Sequence, residues 1–140
     1  MATDTAPASP RTFERFQFRP DELASPTACF LARSDIASLF VRVLKEGGET
    51  VLHSHTANEA IWLVVQGGVT FYDENDQPVA DLGPNDGVLV PRGTKYWFKK
   101  TQPEDTIILR FGAVAQNDPN TRINYPKDGE PQVRADQSAA

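Results

Sequence analysis

Short strand-like runs follow one another along this chain at intervals of roughly ten residues, a spacing typical of all-β folds. Eight such runs lie at residues 27–33, 37–44, 50–55, 60–65, 68–73, 87–90, 95–100 and 105–112. The segments between them are turn sequences rich in Gly, Pro, Asn and Asp: KEGGE, QGG, DENDQP, LGPND, PRG and TQPED. No segment carries a long apolar repeat of 3.6 residues. The pattern therefore predicts an all-β sandwich or barrel of at least eight strands, with under about a fifth of the residues helical.

The chain of 140 residues has room for one compact domain. Residues 1–11 are rich in Ala, Thr, Ser and Pro, which predicts a flexible tail. Residues 12–116 are predicted to form the β-barrel domain, and residues 117–140 a C-terminal arm and tail. Within the domain, residues 13–23 alternate aromatic and polar side chains, and this alternation predicts a short edge strand that ends at Pro20.

The charge and apolar patterns disfavour nucleic acid and membrane as partners. The net charge is −5 at pH 7, and the Lys and Arg residues are dispersed without a basic run. The longest apolar run, residues 60–65, is too short to span a membrane, and the N-terminus lacks a signal-peptide pattern. The single cysteine, Cys29, cannot form an internal disulfide, and its apolar context predicts a buried, inert thiol. We therefore expect a cytoplasmic protein.

The two histidines of the chain, His53 and His55, are separated by one residue. On an extended strand they project to the same side, roughly 7 Å apart. Glu59 follows four positions later. Two imidazoles and a carboxylate form a face that binds a divalent transition metal and leaves other coordination positions open. The alternative is a pair of ordinary pocket histidines that are hydrogen-bonded to their neighbours.

These residues resemble the first motif of the cupin superfamily, G-x5-H-x-H-x(3,4)-E-x6-G, with matching positions at Gly47, His53, His55, Glu59 and Gly67. The stretch at 85–100, NDGVLVPRGTKYWFKK, is similar to the second motif, G-x5-P-x-G-x2-H-x3-N. The resemblance covers roughly residues 36–112. It implies a double-stranded β-helix, or jelly-roll barrel, whose interior can hold a ligand, with His53, His55 and Glu59 as metal ligands. Together with the aromatic N-terminal segment, it also suggests a homodimer.

The chain departs from the superfamily pattern at two informative positions. Tyr96 stands where the third ligand histidine would be. Seven residues separate Glu59 from Gly67, one more than in the pattern. Glu59 therefore either sits at a strand irregularity or is displaced by one register step, which would turn its carboxylate to the other face of the strand.

Three roles are open for Tyr96. Its phenol could ligate a metal after losing a proton, stay protonated and donate a hydrogen bond or pass a proton, or fill the space of a lost histidine in a barrel that binds no metal. An unperturbed phenol has a pKa of about 10, so the protonated form costs least at neutral pH and favours the second role. Tyr96 and Glu59 are thus the candidate catalytic residues.

Side-chain alternation along the strands predicts which residues line the interior of the barrel. If His53 and His55 face inward, Val51 should do so as well. Ile61 and Leu63 should share the face of Glu59, so Trp62 should point outward unless a bulge intervenes. On the strand at 95–100, Phe98 shares the face of Tyr96 and is a candidate substrate-binding residue.

Two arginines, Arg42 and Arg110, lie in the otherwise apolar strands FVRVL and IILRFG. Inside a barrel, each guanidinium could pair with a substrate carboxylate. Arginines on the solvated outer face would give the same pattern, since Arg is mostly exposed.

Together these features predict a metal-dependent enzyme that acts on a small organic molecule. Two neutral histidines, one carboxylate and open positions suit Fe(II), which favours a dioxygenase-type oxidoreductase, with Mn, Ni or Zn as alternatives. Isomerase, lyase and decarboxylase activities remain open, because the fold does not determine the reaction. The second class is a non-enzymatic barrel that binds a small ligand.

Overall fold

The computed structural model describes residues 12–23, 27–115 and 120–135. In this part of the chain eleven β-strands are present, and the one helical element is a 3-10 turn at Pro20–Glu22. The strands are β1 (Thr27–Arg33), β2 (Ala37–Leu44), β3 (Gly48–His55), β4 (Asn58–Gln66), β5 (Val69–Tyr72), β6 (Pro78–Leu82), β7 (Gly87–Val90), β8 (Tyr96–Lys100), β9 (Thr106–Val114), β10 (Thr121–Asn124) and β11 (Gln132–Ala135). The prediction of an all-β fold with at least eight strands is confirmed.

The strands form two antiparallel sheets that pack face to face around a shared interior. The five-stranded sheet has the order β1-β2-β9-β4-β7, and the six-stranded sheet the order β11-β10-β3-β8-β5-β6. Trp62 of the first sheet packs against Phe71 and Phe98 of the second, with ring centroids 5.8 and 5.2 Å apart. This arrangement is the double-stranded β-helix expected from the sequence.

Strict alternation along β4 decides which side chains reach the interior. Asn58, Ala60, Trp62 and Val64 are buried, while Ile61 between them is half exposed. The prediction that Trp62 points outward is therefore wrong: its indole is buried in the aromatic core of the barrel. The alternation itself was correctly anticipated, but the face that turns inward is the opposite one.

The outer face of the five-stranded sheet has its own apolar cluster. Val41, Val43 and Ile107 are buried there, and Phe18 and Leu23 pack against them. The predicted edge strand at residues 13–23 is wrong, because residues 12–19 have no strand structure and the 3-10 turn starts at Pro20. The segment covers an apolar sheet face instead of extending the hydrogen-bonded ladder.

Two predictions, a buried Cys29 and a homodimer, concern side chains that are exposed on the five-stranded sheet. Cys29 is exposed on β1, the edge strand, so the prediction of a buried thiol is wrong. Leu89, Ile61 and Phe111 are paired across β7, β4 and β9 and are 57, 51 and 40% exposed, respectively. The homodimer stays a prediction.

The C-terminal segment adds β10 and β11 to the six-stranded sheet, beside the strand that carries the histidines. In the register between β10 and β3, Arg122 lies opposite His55, and Asn124 opposite His53. Two side chains of β10 therefore share the inner face with the histidines. The tail predicted at residues 1–11 lies outside the described residues. No described helix is long and apolar enough to cross a membrane.

Candidate functional site

An irregularity in β3 shapes the site. In its pairing with β8, Glu49 lies opposite Phe98 and His53 opposite Tyr96, so the register shifts between the two pairs. A side chain at Gly48 would collide with the backbone of β8, and glycine there permits this close approach. Because of the bulge, Val51 is 47% exposed, contrary to the predicted inward orientation. Glu49, instead of Val51, lies beside His53.

His53 is fully buried, and both of its ring nitrogens face acceptors. Nδ1 lies 2.8 Å from the carbonyl oxygen of Val51, which can only accept, so Nδ1 carries a proton. Nε2 lies 3.2 Å from Oε2 of Glu49. An ionised carboxylate also only accepts, so this contact is favourable when Nε2 is protonated as well. The imidazole is therefore held between the Val51 carbonyl and the Glu49 carboxylate.

The Glu49 carboxylate lies among three potential cations. Nη1 of Arg42 contacts Oε1, and Nη1 of Arg122 lies 3.5 Å from the same oxygen. Burial by itself would raise the pKa of Glu49, but the hydrogen bond and charge of His53, together with Arg42 and Arg122, hold this pKa well below its ordinary value. The carboxylate is therefore ionised at neutral pH.

Tyr96 and His55 complete the cluster. The Tyr96 ring centroid lies 4.4 Å from that of His53 and 6.3 Å from that of His55, and the two imidazole centroids are 5.4 Å apart. The backbone N–H of Gly93, at positive φ in the second motif segment, donates to the His55 carbonyl oxygen at 2.8 Å. The two motif segments recognised in the sequence therefore meet at the site.

Glu59 is not brought together with the two histidines. It lies on the outer face of β4, between the inward-facing Asn58 and Ala60, because the one-residue displacement turns it to the other face. Among the described residues, no group of three His, Cys, Asp or Glu side chains is arranged to hold a metal ion. Glu49 is a poor substitute for Glu59 as a metal ligand, because two guanidinium charges already neutralise its carboxylate. The donor set predicted from the sequence therefore does not fit a metal in this structure.

Both candidate arginines lie on the inner face of the five-stranded sheet. Arg42 shares its face with Leu44, a residue of the inner core. Arg110 is 2% exposed, donates from Nη2 to Asn58 Oδ1 at 2.6 Å and lies over the Trp62 ring. Phe98 is fully buried in the aromatic core.

Two residues of the cluster were not singled out from the sequence. Glu49 precedes His53 by four positions, and regular strand alternation would place both side chains on one face, but the distance between them would be too long without the bulge. Arg122 belongs to the C-terminal arm, whose pairing with β3 is a long-range contact. The sequence around Arg122 is polar and only partly periodic, so it gave little indication of this pairing.

A cavity of about 270 Å³ opens next to Tyr96, between β5, β7 and β8. Its lining includes Phe71, Pro91, Thr94 and Tyr96. Pro91 and Thr94 belong to the turn that holds His55 through Gly93. A small molecule in this cavity would contact one edge of the polar cluster.

Two facing antiparallel sheets with a His-x-His strand on the inner face define a cupin-type barrel. The family model for the cupin domain matches residues 40–112, more than half of the chain. The chain therefore belongs to the cupin family. No curated protein sequence matches it significantly.

Solved structures show the same fold at low sequence identity. A double-stranded β-helix protein from Klebsiella pneumoniae is 18% identical, with a TM-score of 0.65, over 81% of this chain and 100% of its own. KdgF from Halomonas is 20% identical, with a TM-score of 0.54, over 64% of this chain and 80% of its own. The nucleoside dehydratase Pac13, which is also described from Streptomyces with uridine, is 15% identical, with a TM-score of 0.57, over 81% of this chain and 92% of its own. At these identities the likeness concerns the fold.

Proposed function

We propose that this cupin is an enzyme that transfers protons on a small organic molecule, as a lyase or isomerase. The observation that carries the proposal is the environment of His53, whose two buried ring nitrogens face the Val51 carbonyl and the ionised Glu49 carboxylate. An imidazole that shares a proton with a carboxylate in this way can serve as an acid, and its Nε2 faces Oε2 of Glu49 instead of an open coordination position. Enzymes that eliminate or isomerise need such a positioned acid.

The residues around His53 supply the remaining parts of a proton-transfer site. In an elimination, His55 would accept a proton from carbon while Tyr96 protonates the departing oxygen and regains a proton from the His53–Glu49 pair, so that a carbon–carbon double bond forms and water leaves. Tyr96 would donate a hydrogen bond to a substrate oxygen or relay a proton, which is the role favoured from the sequence. Glu49 would hold His53 in place through Oε2.

The structural neighbours provide support at the level of the fold. Pac13 is a nucleoside dehydratase, which shows that a barrel of this architecture can carry an elimination reaction. The identity of 15% does not transfer its substrate to this chain.

A metal-dependent reaction, including the Fe(II) dioxygenase favoured from the sequence, is the second candidate. Cupins often bind metals, and both histidines face the interior with ring centroids 5.4 Å apart. This candidate needs a carboxylate or another donor in place of Glu59, and the contact between His53 Nε2 and Glu49 would have to break before Nε2 could coordinate. We therefore rank it below the proton-transfer reaction.

Incorporation of solvent deuterium tests the proposal even though the substrate is unidentified. The protein, treated with a chelator and dialysed, would be incubated in D₂O with pools of small hydroxy acids, keto acids, sugars and nucleosides, and the pools analysed by NMR. We expect deuterium incorporation or loss of water in at least one compound, at the same rate without added metal and strongly reduced by His53→Gln. Turnover that requires both Fe(II) and O₂ would instead support the dioxygenase.

A further inference from the structure

We propose that Arg42 anchors an oxyanion group of the substrate, a carboxylate or a phosphate, in a cavity beside the β2–β3 hairpin. This inference rests on the proposed function, since it names the class of substrate that the proton-transfer cluster would receive. The cavity has a volume of about 460 Å³ and lies at the end of the barrel where β1, β2 and the start of β3 meet. A volume of this size is typical of sites for small ligands.

Arg42 has hydrogen-bonding capacity left for a ligand. Within the described part of the chain its one ion-pair and hydrogen-bond partner is Glu49, reached through Nη1. A guanidinium has five N–H donors, so the donors on Nε and Nη2 remain for other acceptors. The side chain is 28% exposed and lines the cavity, and its register partner on β1 is the small residue Ala28, which leaves space beside it.

The charges at this end of the barrel favour an anion. Arg42 and Lys45 line the cavity together with one carboxylate, Glu46. Behind Arg42, Arg122 also contacts Glu49, so two guanidinium groups share one carboxylate. An oxyanion is the ligand whose geometry fits the remaining guanidinium fork.

The anchor lies close to the proposed reacting groups. A single carboxylate, that of Glu49, connects Arg42 to His53, with Oε1 toward the arginine and Oε2 toward the imidazole. An oxyanion held at Arg42 would therefore share the guanidinium with Glu49, the residue that contacts His53. Binding by the permanently charged guanidinium would also fix the orientation of the substrate.

Anion binding can be measured directly with acetate and with inorganic phosphate as probes. Each would be titrated into ¹⁵N-labelled protein at constant ionic strength, with chloride as the balancing ion and acetamide as the uncharged analogue of acetate. We expect saturable shifts of the amides around Arg42 and Lys45 with at least one oxyanion and none with acetamide. The probe that binds more tightly identifies the carboxylate or the phosphate as the preferred group.

Variants identify the anchor. Arg42→Gln should weaken binding about tenfold or more, the range for losing a charge-assisted hydrogen-bonding pair. The matched control is Arg19→Gln, which removes an arginine from an exposed pair with Glu22 and should leave binding unchanged. Lys45→Gln changes an exposed side chain of the same cavity and should weaken anion binding about twofold or more. This variant serves as the test if Arg42→Gln does not fold.

Equal binding by Arg42→Gln and the native protein, or by Lys45→Gln if the first variant does not fold, would overturn the proposal. So would shifts with acetamide equal to those with acetate. The deuterium experiment fails or succeeds separately: exchange on uncharged compounds alone, without anion binding, would contradict the anchor but support the proton-transfer function. Anion binding without exchange on any compound would contradict the proposed function and keep the anion site.

Discussion

Replacing Glu49 by Gln is the perturbation whose effect follows most directly from the structure. The carboxylate is 15% exposed and contacts Arg42, Arg122 and His53. Gln keeps nearly the same volume but removes the negative charge, which leaves the cations without their common partner. Breaking a fully buried ion pair costs about 3–5 kcal/mol, and the partial exposure of this cluster reduces our expectation to about 2–3 kcal/mol of unfolding free energy.

Urea unfolding at pH 7, followed by fluorescence and circular dichroism, measures this loss. For a domain of this size it corresponds to a decrease in Tm of about 8 °C. Glu59→Gln is the matched control: it makes the same chemical change on the outer face of β4 and should stay within about 0.5 kcal/mol of the native protein. Equal stabilities of Glu49→Gln and Glu59→Gln would mean that the cluster contributes nothing measurable to the unfolding free energy.

Three further predictions concern pH, packing and catalysis. The pKa of Glu49 is lowered in the folded state, so the ionised carboxylate stabilises the protein above its ordinary pKa of 4.5. This stabilisation is lost as the pH falls below 4.5. In urea titrations, the difference in unfolding free energy between the native protein and Glu49→Gln should therefore shrink from about pH 5 downward. Gly48→Ala should lower the unfolding free energy by about 1–3 kcal/mol, because the added methyl group would collide with the Phe98 carbonyl. Gly83→Ala is the control: a methyl group fits there, and the unfolding free energy should change by less than about 0.5 kcal/mol in the same assay. Tyr96→Phe should keep the fold by circular dichroism and lower the rate of deuterium exchange about 100-fold; an unchanged rate would show that the phenol has no chemical role.

The fold could be predicted because its signals are local. Turn sequences separated strand-like runs at regular spacing, and the structure places strands at all eight of those runs. The short strands β6, β10 and β11 were missed because they are exposed or follow polar, weakly periodic sequence. The segment at 13–23 was misassigned, since its alternating aromatic residues serve to cover a sheet face.

The site was predictable to the extent that it follows strand alternation. His53, His55 and Tyr96 share the interior as alternation requires. The position of Glu49 depends on a bulge in β3, which no local sequence signal specifies. Arg122 reaches the cluster through the long-range pairing of β10 with β3. These nonlocal contacts place a carboxylate and two guanidinium groups beside the strand for which the sequence predicted a metal site.

The contact between His53 Nε2 and the Glu49 carboxylate underlies the proposed function, and NMR of the imidazole nitrogens reports on it. In ¹H–¹⁵N spectra of the chelator-treated protein at pH 7, assigned with His53→Gln, we expect protons on both ring nitrogens of His53 and a spectrum that stoichiometric Fe(II), Mn, Ni or Zn does not change. In Glu49→Gln the proton on Nε2 should be lost or exchange faster. A neutral His53 with a bare Nε2 that shifts on addition of one equivalent of metal would contradict the account.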